Sequence, residues 1–483
     1  MPQSCGNVRD GQRGPRAQEG ISGMVRRHGQ GTRNVGVAVM LGLALAVTGS
    51  GMPTAEAQGA EWWEQLPGFG APSYNERRAR MRDQNEDGKK AEQASFDDLR
   101  PDATPWLSDV MLRSIDQAIE RYERLVQRGG WKPVAKGRTI RPGDDDDRIP
   151  QIKRRLRATG ELGPSQDYFE QLTLDDRVEQ ALRNYQRHNG LRVTGRADRA
   201  TIEALNIPAE ERLNQLRLNR QRIANLLAAR IEDRYVLVNV PAFELEAVEK
   251  YEVRQRHRVI VGREGRETPD LKGTIRALNF FPYWRVPTSV ATLDLIPRLQ
   301  KEPDYLTQEG IRVYDGSYDG PEIQQSRIDW SAVDSHRIRF KQDPGERNAL
   351  GLVRLDMSNE HGVYMHDTPM KQLFQQRGRA FSAGCVRVQG VFELVEWIAR
   401  YEPGWDDAGR VRTVVDSGQP LDLQLSRPVP VIFTYITAWA ERDGAVHFRP
   451  DLYNRDGSQS IAAAGRGEHD PDAPPPPSGG ITP

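Results

Sequence analysis

Apolar residues recur every three or four positions at Leu107, Met111, Ile115, Ile119, Tyr122 and Val126, the spacing of one helix face. Thr104 and Pro105 supply a cap residue and a first-turn proline ahead of it, and Gly129-Gly130 ends it, so a helical scaffold segment is expected over 104–140. The same period returns in three shorter stretches: Ile149, Ile152 and Leu156; Leu174, Val178, Leu182 and Tyr185; Ile202 and Leu205. With Gly190 and Gly195 as punctuation, they predict a small three-helix module over 141–206. Pro208 then opens a connecting helix, 207–233, through Leu213, Leu216, Ile223, Leu227 and Ile231. Past Arg234 the period changes to that of strands. Residues 235–240 and 258–261 are β-branched runs bounded by turn residues, and similar segments recur at 363–366, 413–415 and 429–436. Residues 288–350 break this pattern with Pro, Gly, Asp and Gln, and read as a lid-like insertion. The fold class expected is α+β and multidomain: a small helical module, then a mainly β domain over 234–456.

The two ends carry little of this patterning. Residues 35–47 are an apolar run behind Arg26, Arg27 and Arg33, followed by Ala55-Glu56-Ala57. A basic flank, a short apolar segment and a small-x-small site describe a secretory signal peptide over 1–57, cleaved after Ala57, with Met1 or Met24 as its start. An uncleaved signal anchor is the alternative, although the run falls short of the roughly 20 residues a spanning helix needs. Residues 58–103 are charged and poor in aliphatics, a flexible linker, and 457–483 form a Gly, Ala, Asp and Pro tail expected to be disordered.

Charge and cysteine count then narrow the function. Lys+Arg and Asp+Glu both total 68, which argues against a polybasic nucleic-acid binder. The leader holds six basic and three acidic residues, leaving 62 against 65 in an exported chain. It also holds Cys5, one of two cysteines. The mature chain keeps Cys385 alone, which excludes a disulfide framework or a cysteine-built zinc site. An unpaired thiol in an oxidising compartment must be buried, paired between chains, or used.

Cys385 lies in FSAGCVRV, residues 381–388. Glycine before cysteine permits a sharp turn that brings the backbone N–H groups of Gly384 and Cys385 near the sulfur, as an oxyanion site requires. Ser382 adds a hydroxyl, and Arg387 a fixed charge that either holds a substrate carboxylate or pairs locally to fix the turn. A histidine candidate, His366, occurs in GVYMHDTP, residues 362–369. Strand alternation puts Val363 and Met365 on one face, Tyr364 and His366 on the other. His361 is a rival in a polar turn. Tyr364 and Trp284 either line the cleft or pack in a core.

Histidine precedes cysteine by nineteen residues, the reverse of the papain-like order. With Ser382-x-Gly384-Cys385-x-Arg387, this resembles the L,D-transpeptidases of the YkuD type, in their large periplasmic branch. VNVPAF (238–243), NFFPYWRVP (279–287), HDTP (366–369), TYITAW (434–439) and FRPDLY (448–453) extend the likeness, and 181–206 is similar to the peptidoglycan-binding helical module of cell-wall enzymes. Two positions depart from the pattern: Ala383 replaces a common motif histidine, and Asp367 a common glycine.

The resemblance implies acyl transfer through a thioester on Cys385, with His366 as base and then acid. The donor is a tetrapeptide stem of peptidoglycan that loses D-alanine, and the product is a 3→3 cross-link. It also implies periplasmic residence in a Gram-negative envelope, no cofactor or metal, peptidoglycan stems and glycan as partners, a lipoprotein as a further acceptor, and inhibition by carbapenem-type β-lactams. The orienting partner expected for His366 is a backbone carbonyl, because Asp367 points the other way on a strand. Rival readings are an L,D-carboxypeptidase or a hydrolase of protein-to-wall links on the same Cys385 and His366, a peptidoglycan-binding scaffold without chemistry, and a thiol redox protein lacking a resolving cysteine.

Overall fold

The computed structural model describes residue 99 and residues 104–164, 171–229, 232–407 and 409–457. The expected leader with its cleavage at Ala57, nearly all of the expected linker, and the tail beyond Gly457 lie outside the described residues.

Helix α1 spans Asp109–Gln127, not from Thr104–Pro105 as the proline suggests. Ser108 is its cap: extended in backbone, it accepts a hydrogen bond from the Met111 N–H through its side chain. The small module follows as α2 (Ile149–Thr159), α3 (Asp176–His188) and α4 (Arg199–Leu205). Asp175 and Asp198 cap the last two through their carboxylates. Ile149, Ile152, Leu156, Val178, Leu182, Tyr185, Ile202 and Leu205 close one apolar core, which is why such short helices persist. Pro208 precedes α5 (Ala209–Ala228).

The β domain is one sheet bent back on itself. Its strands are β1 (Arg234–Asn239), β2 (Glu244–Glu249), β3 (Glu252–Gly262) and β4 (Leu271–Phe280), then, beyond the insertion, β9 to β13. The insertion, with the residues just before it, builds a separate four-stranded sheet from β5 (Trp284–Arg285), β6 (Ile311–Asp315), β7 (Glu322–Ile323) and β8 (Ile338–Gln342). The main sheet continues with β9 (Val353–Met357), β10 (Met365–His366), β11 (Ala380–Ser382), β12 (Val386–Val388) and β13 (Leu421–Thr434). A hairpin of β14 (Ala438–Ala440) and β15 (Val446–Phe448) follows as the last pair of strands among the described residues.

Strand order in the main sheet is β11-β3-β12-β10-β9-β4-β13-β1-β2, and β2 also pairs with β3, so the sheet closes like a barrel. One face of these strands fills the interior with Val236, Val238, Val259, Leu355, Met365, Val386, Val431 and Phe433, joined by helix α6 (Val391–Ala399). Tyr235, Leu237 and Ile432, on the outer face, pack under α1 and α5. The segment at 413–415, expected as a strand, belongs to helix α7 (Arg410–Ser417): its β-branched residues Val411 and Val414 lie one helical turn apart and are both buried. The expected strand at 363–366 shrinks to two residues.

Candidate active site

Register assembles the site. The short strand β10 runs parallel to β12, pairing Met365 with Val386 and His366 with Arg387. The Val386 N–H donates to the Tyr364 carbonyl at 3.0 Å, so Tyr364 stands abreast of Cys385. Because paired residues share a face, Met365 and Val386 enter the barrel core while Tyr364, His366, Cys385 and Arg387 face outward together. The row at His366 continues across the sheet: Ile260 on β3, Arg387, His366, Arg354 on β9, Asn279 on β4 and Asp422 on β13. Arg354 donates to the Asn279 side-chain oxygen through Nε and Nη2 at 3.1 and 2.9 Å, and lies 3.4 Å from an Asp356 oxygen.

The insertion roofs this row. Tyr364 and Ala383 pack against its core of Trp284, Val286, Leu299, Phe340 and Leu350. Ala383 therefore serves as a packing contact where a motif histidine is common. Asp294 of the insertion pairs with Arg263 and Arg266 of the β3–β4 connection at 2.8 and 2.5 Å. Under this roof His366 is fully buried and Cys385 only 7 % exposed.

Burial sets the protonation. His366 is drawn down to about 3, first by burial and then by the Arg387 charge. Its Nδ1 lies 2.5 Å from the Asp367 carbonyl oxygen, which assigns the proton to Nδ1; Nε2 makes no hydrogen bond of normal geometry, and the Leu350 backbone also acts on the ring. The Cys385 thiol is pushed up to about 11 by burial, against the opposing effects of Tyr364 and Arg387. The resting site thus holds a neutral thiol and a neutral imidazole, with no hydrogen bond between them. Arg387 is drawn down to about 10 by burial. It is 1 % exposed, its Nε and Nη2 lack partners, and Nη1 reaches only the Met370 sulfur at 3.8 Å. Among the described residues no carboxylate pairs with it, so the reading in which it pairs locally to fix the turn is set aside.

The other expected contributors fall differently. Ser382 is fully buried and turned into the loop, away from any cleft. Its hydroxyl donates to the Cys385 carbonyl at 2.6 Å and accepts from the Gly384 N–H at 3.1 Å. The Gly384 N–H, expected as an oxyanion donor, is therefore already engaged; the Cys385 N–H makes no hydrogen bond among the described residues. Gly384 itself has φ +121°, a conformation side chains rarely adopt, although a Cβ there would meet nothing closer than 3.6 Å. Trp284 is buried in the insertion's core; its indole N–H acts on the Tyr364 phenol without a hydrogen bond of normal geometry. Burial raises Tyr364, and the neighbouring Cys385 adds to the rise. His361 sits in an exposed turn beside Glu360, apart from the row.

Sequence reasoning missed four supports. The Asp367 carboxylate accepts the Leu352 N–H at 3.0 Å and pairs with Lys371, which fixes the carbonyl that holds His366. Gly351 makes this possible: its φ is +63°, and a Cβ there would lie 2.4 Å from Asp367 Oδ2. Arg354 flanks His366 opposite Arg387. Thr268 donates to the Gly384 carbonyl at 2.8 Å and accepts from the Gly262 N–H at 2.8 Å. Gly351, a glycine just ahead of a strand, and the i,i+4 pair of Asp367 with Lys371 carry a local signal; Arg354 and Thr268 act on partners distant in the chain.

The architecture defines a two-part protein, a helical module followed by a mainly β domain closed around its own core. Residues 233–431 match the family model of the YkuD L,D-transpeptidase catalytic domain, and residues 145–205 that of a "Putative peptidoglycan binding domain". Along the chain the peptidoglycan-binding match precedes the catalytic-domain match. A curated relative from Haemophilus influenzae, named "Putative L,D-transpeptidase", is 31% identical over 228 residues, covering 47% of this chain and 45% of the relative. The chain thus spans less than half the length of that relative. Solved structures similar to this chain include an L,D-transpeptidase from Mycobacterium smegmatis, at TM-score 0.22 and 12% identity over 42% of this chain and 58% of that one. Another is an L,D-transpeptidase from Stackebrandtia nassauensis, at TM-score 0.23 and 12% identity over 63% of this chain and 97% of that one.

Proposed function

We propose that this protein is an exported L,D-transpeptidase that cross-links peptidoglycan through a thioester on Cys385. The observation that carries the reading is the parallel pairing of β10 with β12, which sets Cys385, His366, Tyr364 and Arg387 on one roofed face of a YkuD-type domain.

In this reading the Cys385 thiol gives its proton to His366 Nε2 as the sulfur bonds to the carbonyl carbon of the third stem residue. The C–N bond to D-alanine then breaks, and its nitrogen takes the proton from His366. An amine of a neighbouring stem attacks the thioester, forming the 3→3 amide and returning the proton to sulfur. The unpaired Arg387 guanidinium binds the carboxylate of the departing D-alanine. Its positive charge opposes protonation of His366, so a carboxylate bound to it makes the imidazole a stronger base. Substrate thereby activates the pair it reacts with.

Incubation of the full chain with purified tetrapeptide muropeptides tests this, with products separated and weighed. Cross-linked dimer and free D-alanine are expected from the wild type and neither from Cys385→Ala. Tripeptide without dimer would overturn transfer in favour of hydrolysis, and no D-alanine at all would return the chain to a binding scaffold. The same assay with a carbapenem tests inhibition, by the mass of a Cys385 adduct; a lipoprotein acceptor is tested by adding one in place of the second stem.

A further inference from the structure

An oxyanion donor is only as good as its aim. The Gly384–Cys385 peptide unit is planar, so its C=O and N–H point in opposite directions and cannot be oriented separately. Gly384, at φ +121° and without a side chain in a place where even a Cβ would meet nothing closer than 3.6 Å, gives that unit little steric hold. Glycine permits the flipped peptide nearly as readily. What opposes the flip is a side chain from elsewhere in the fold.

Thr268 lies in the connection between β3 and β4 and is fully buried. Its hydroxyl donates to the Gly384 carbonyl oxygen at 2.8 Å, and the Gly262 N–H donates to the same hydroxyl at 2.8 Å, which fixes the direction of its proton. Tyr453 braces it in turn: the phenol oxygen accepts from the Thr268 N–H at 3.3 Å and donates to the Gly262 carbonyl at 2.6 Å. The Arg263 N–H also holds the Ser382 carbonyl at 3.0 Å, tying the same connection to the start of the turn. With the Gly384 carbonyl pinned on one side, the Cys385 N–H faces the other, and among the described residues it makes no hydrogen bond, unlike the Gly384 N–H beside it.

We propose that Thr268 is a positioning residue: by holding the Gly384 carbonyl it keeps the Gly384–Cys385 peptide from flipping and so aims the Cys385 N–H at the oxyanion formed when the thiol attacks a carbonyl. This rests on the reading of Cys385 as a nucleophile. In the step concerned, the sulfur bonds to the carbonyl carbon, the carbonyl π pair moves to oxygen, and the Cys385 N–H receives that charge.

Two reactions of the same sulfur separate this role from a structural one. Acylation by a carbapenem opens the lactam C–N bond through an oxyanion; alkylation by iodoacetamide displaces iodide and forms none. Thr268→Val removes the hydroxyl at nearly constant shape. Loss of one oxyanion donor costs about 10²–10³ in rate, so acylation of Thr268→Val is expected to fall about 100-fold, with alkylation within about threefold of wild type. Thr268→Ser restores acylation. Equal loss of both reactions, or acylation unchanged, would overturn the proposal. Should Thr268→Val fail to fold by circular dichroism, Tyr453→Phe replaces it, with a selective fall in acylation expected and an unchanged ratio of the two rates counting against. A wild-type chain that alkylates but never acylates refutes the nucleophile reading itself, and this inference with it; a wild type that acylates beside an unchanged variant refutes only the role of Thr268.

Discussion

Replacing Arg387 with methionine should make the protein more stable and much less active. The guanidinium is 1 % exposed, two of its N–H-bearing nitrogens lack partners, and among the described residues no carboxylate compensates it. Burial draws it from 12.5 to about 10. At about 1.4 kcal/mol per pH unit, that corresponds to roughly 3 kcal/mol of unfavourable charge burial. Methionine keeps an unbranched stem and returns the apolar contacts without the charge, so a net gain of about 1–3 kcal/mol is expected once imperfect refilling is allowed for. In a domain of this size that raises Tm by about 2–4 °C per kcal/mol. Acylation by a stem tetrapeptide should fall at least tenfold in kcat/KM, because the terminal carboxylate loses its partner. Thermal melts and single-turnover acylation measure the two quantities on one preparation. A fall in Tm would refute the reasoning. It would mean that Arg387 is internally compensated, since breaking a buried ion pair costs about 3–5 kcal/mol.

Two further outcomes follow from the geometry. Gly351→Ala imposes a left-handed conformation worth about 1–2 kcal/mol and drives a methyl into the Asp367 carboxylate; Tm should drop and acylation fall at least tenfold as the carbonyl holding His366 shifts, and a lower Tm with normal acylation would break the proposed link. His447 is buried where β15 meets α3, near 3 because of burial, with Glu441 at 3.2 Å, the His188 ring at 4.8 Å, and Arg449 and Trp439 around it. Its folded value lies below the ordinary 6.5, so between pH 6.5 and 3 the unfolded chain binds a proton that the folded one does not, and stability is lost as pH falls through that window. His447→Phe, which keeps the ring stacked on Trp439, should flatten the stability slope between pH 6 and 5 by about 1 kcal/mol per pH unit; denaturant melts at the two pH values would show an unchanged slope if the reasoning is wrong.

Much of the architecture is legible in the chain itself because it is local. The three- and four-residue spacing at Met111, Ile115 and Tyr122, or at Val178, Leu182 and Tyr185, fixes helices whose buried faces match. The change to β-branched runs after Arg234 marks the start of the sheet. Where two local signals compete, the one that makes its bond decides: Ser108 outranks Pro105 as a helix start because its hydroxyl accepts from the Met111 amide three residues on. Residues 413–415, strand-like in composition, are helical because two valines one turn apart find the barrel core.

The site divides along the same line. Residue types near Cys385 and His366, and the alternation that turns Met365 inward and His366 outward, belong to the sequence. Pairing does not. That Arg387 stands beside His366 follows from a two-residue parallel register between strands. That no described carboxylate pairs with it emerges only once its neighbours are in place. Ser382 could equally have faced a cleft, and it is the turn's own carbonyl and amide that claim it. Thr268 and Gly384 lie far apart in the chain, and no periodicity links a threonine after β3 to a peptide before β12. Short-range order is set by backbone preference and apolar spacing, which each stretch carries within itself. Partners brought together across the barrel are set by its closure, which no stretch can encode alone.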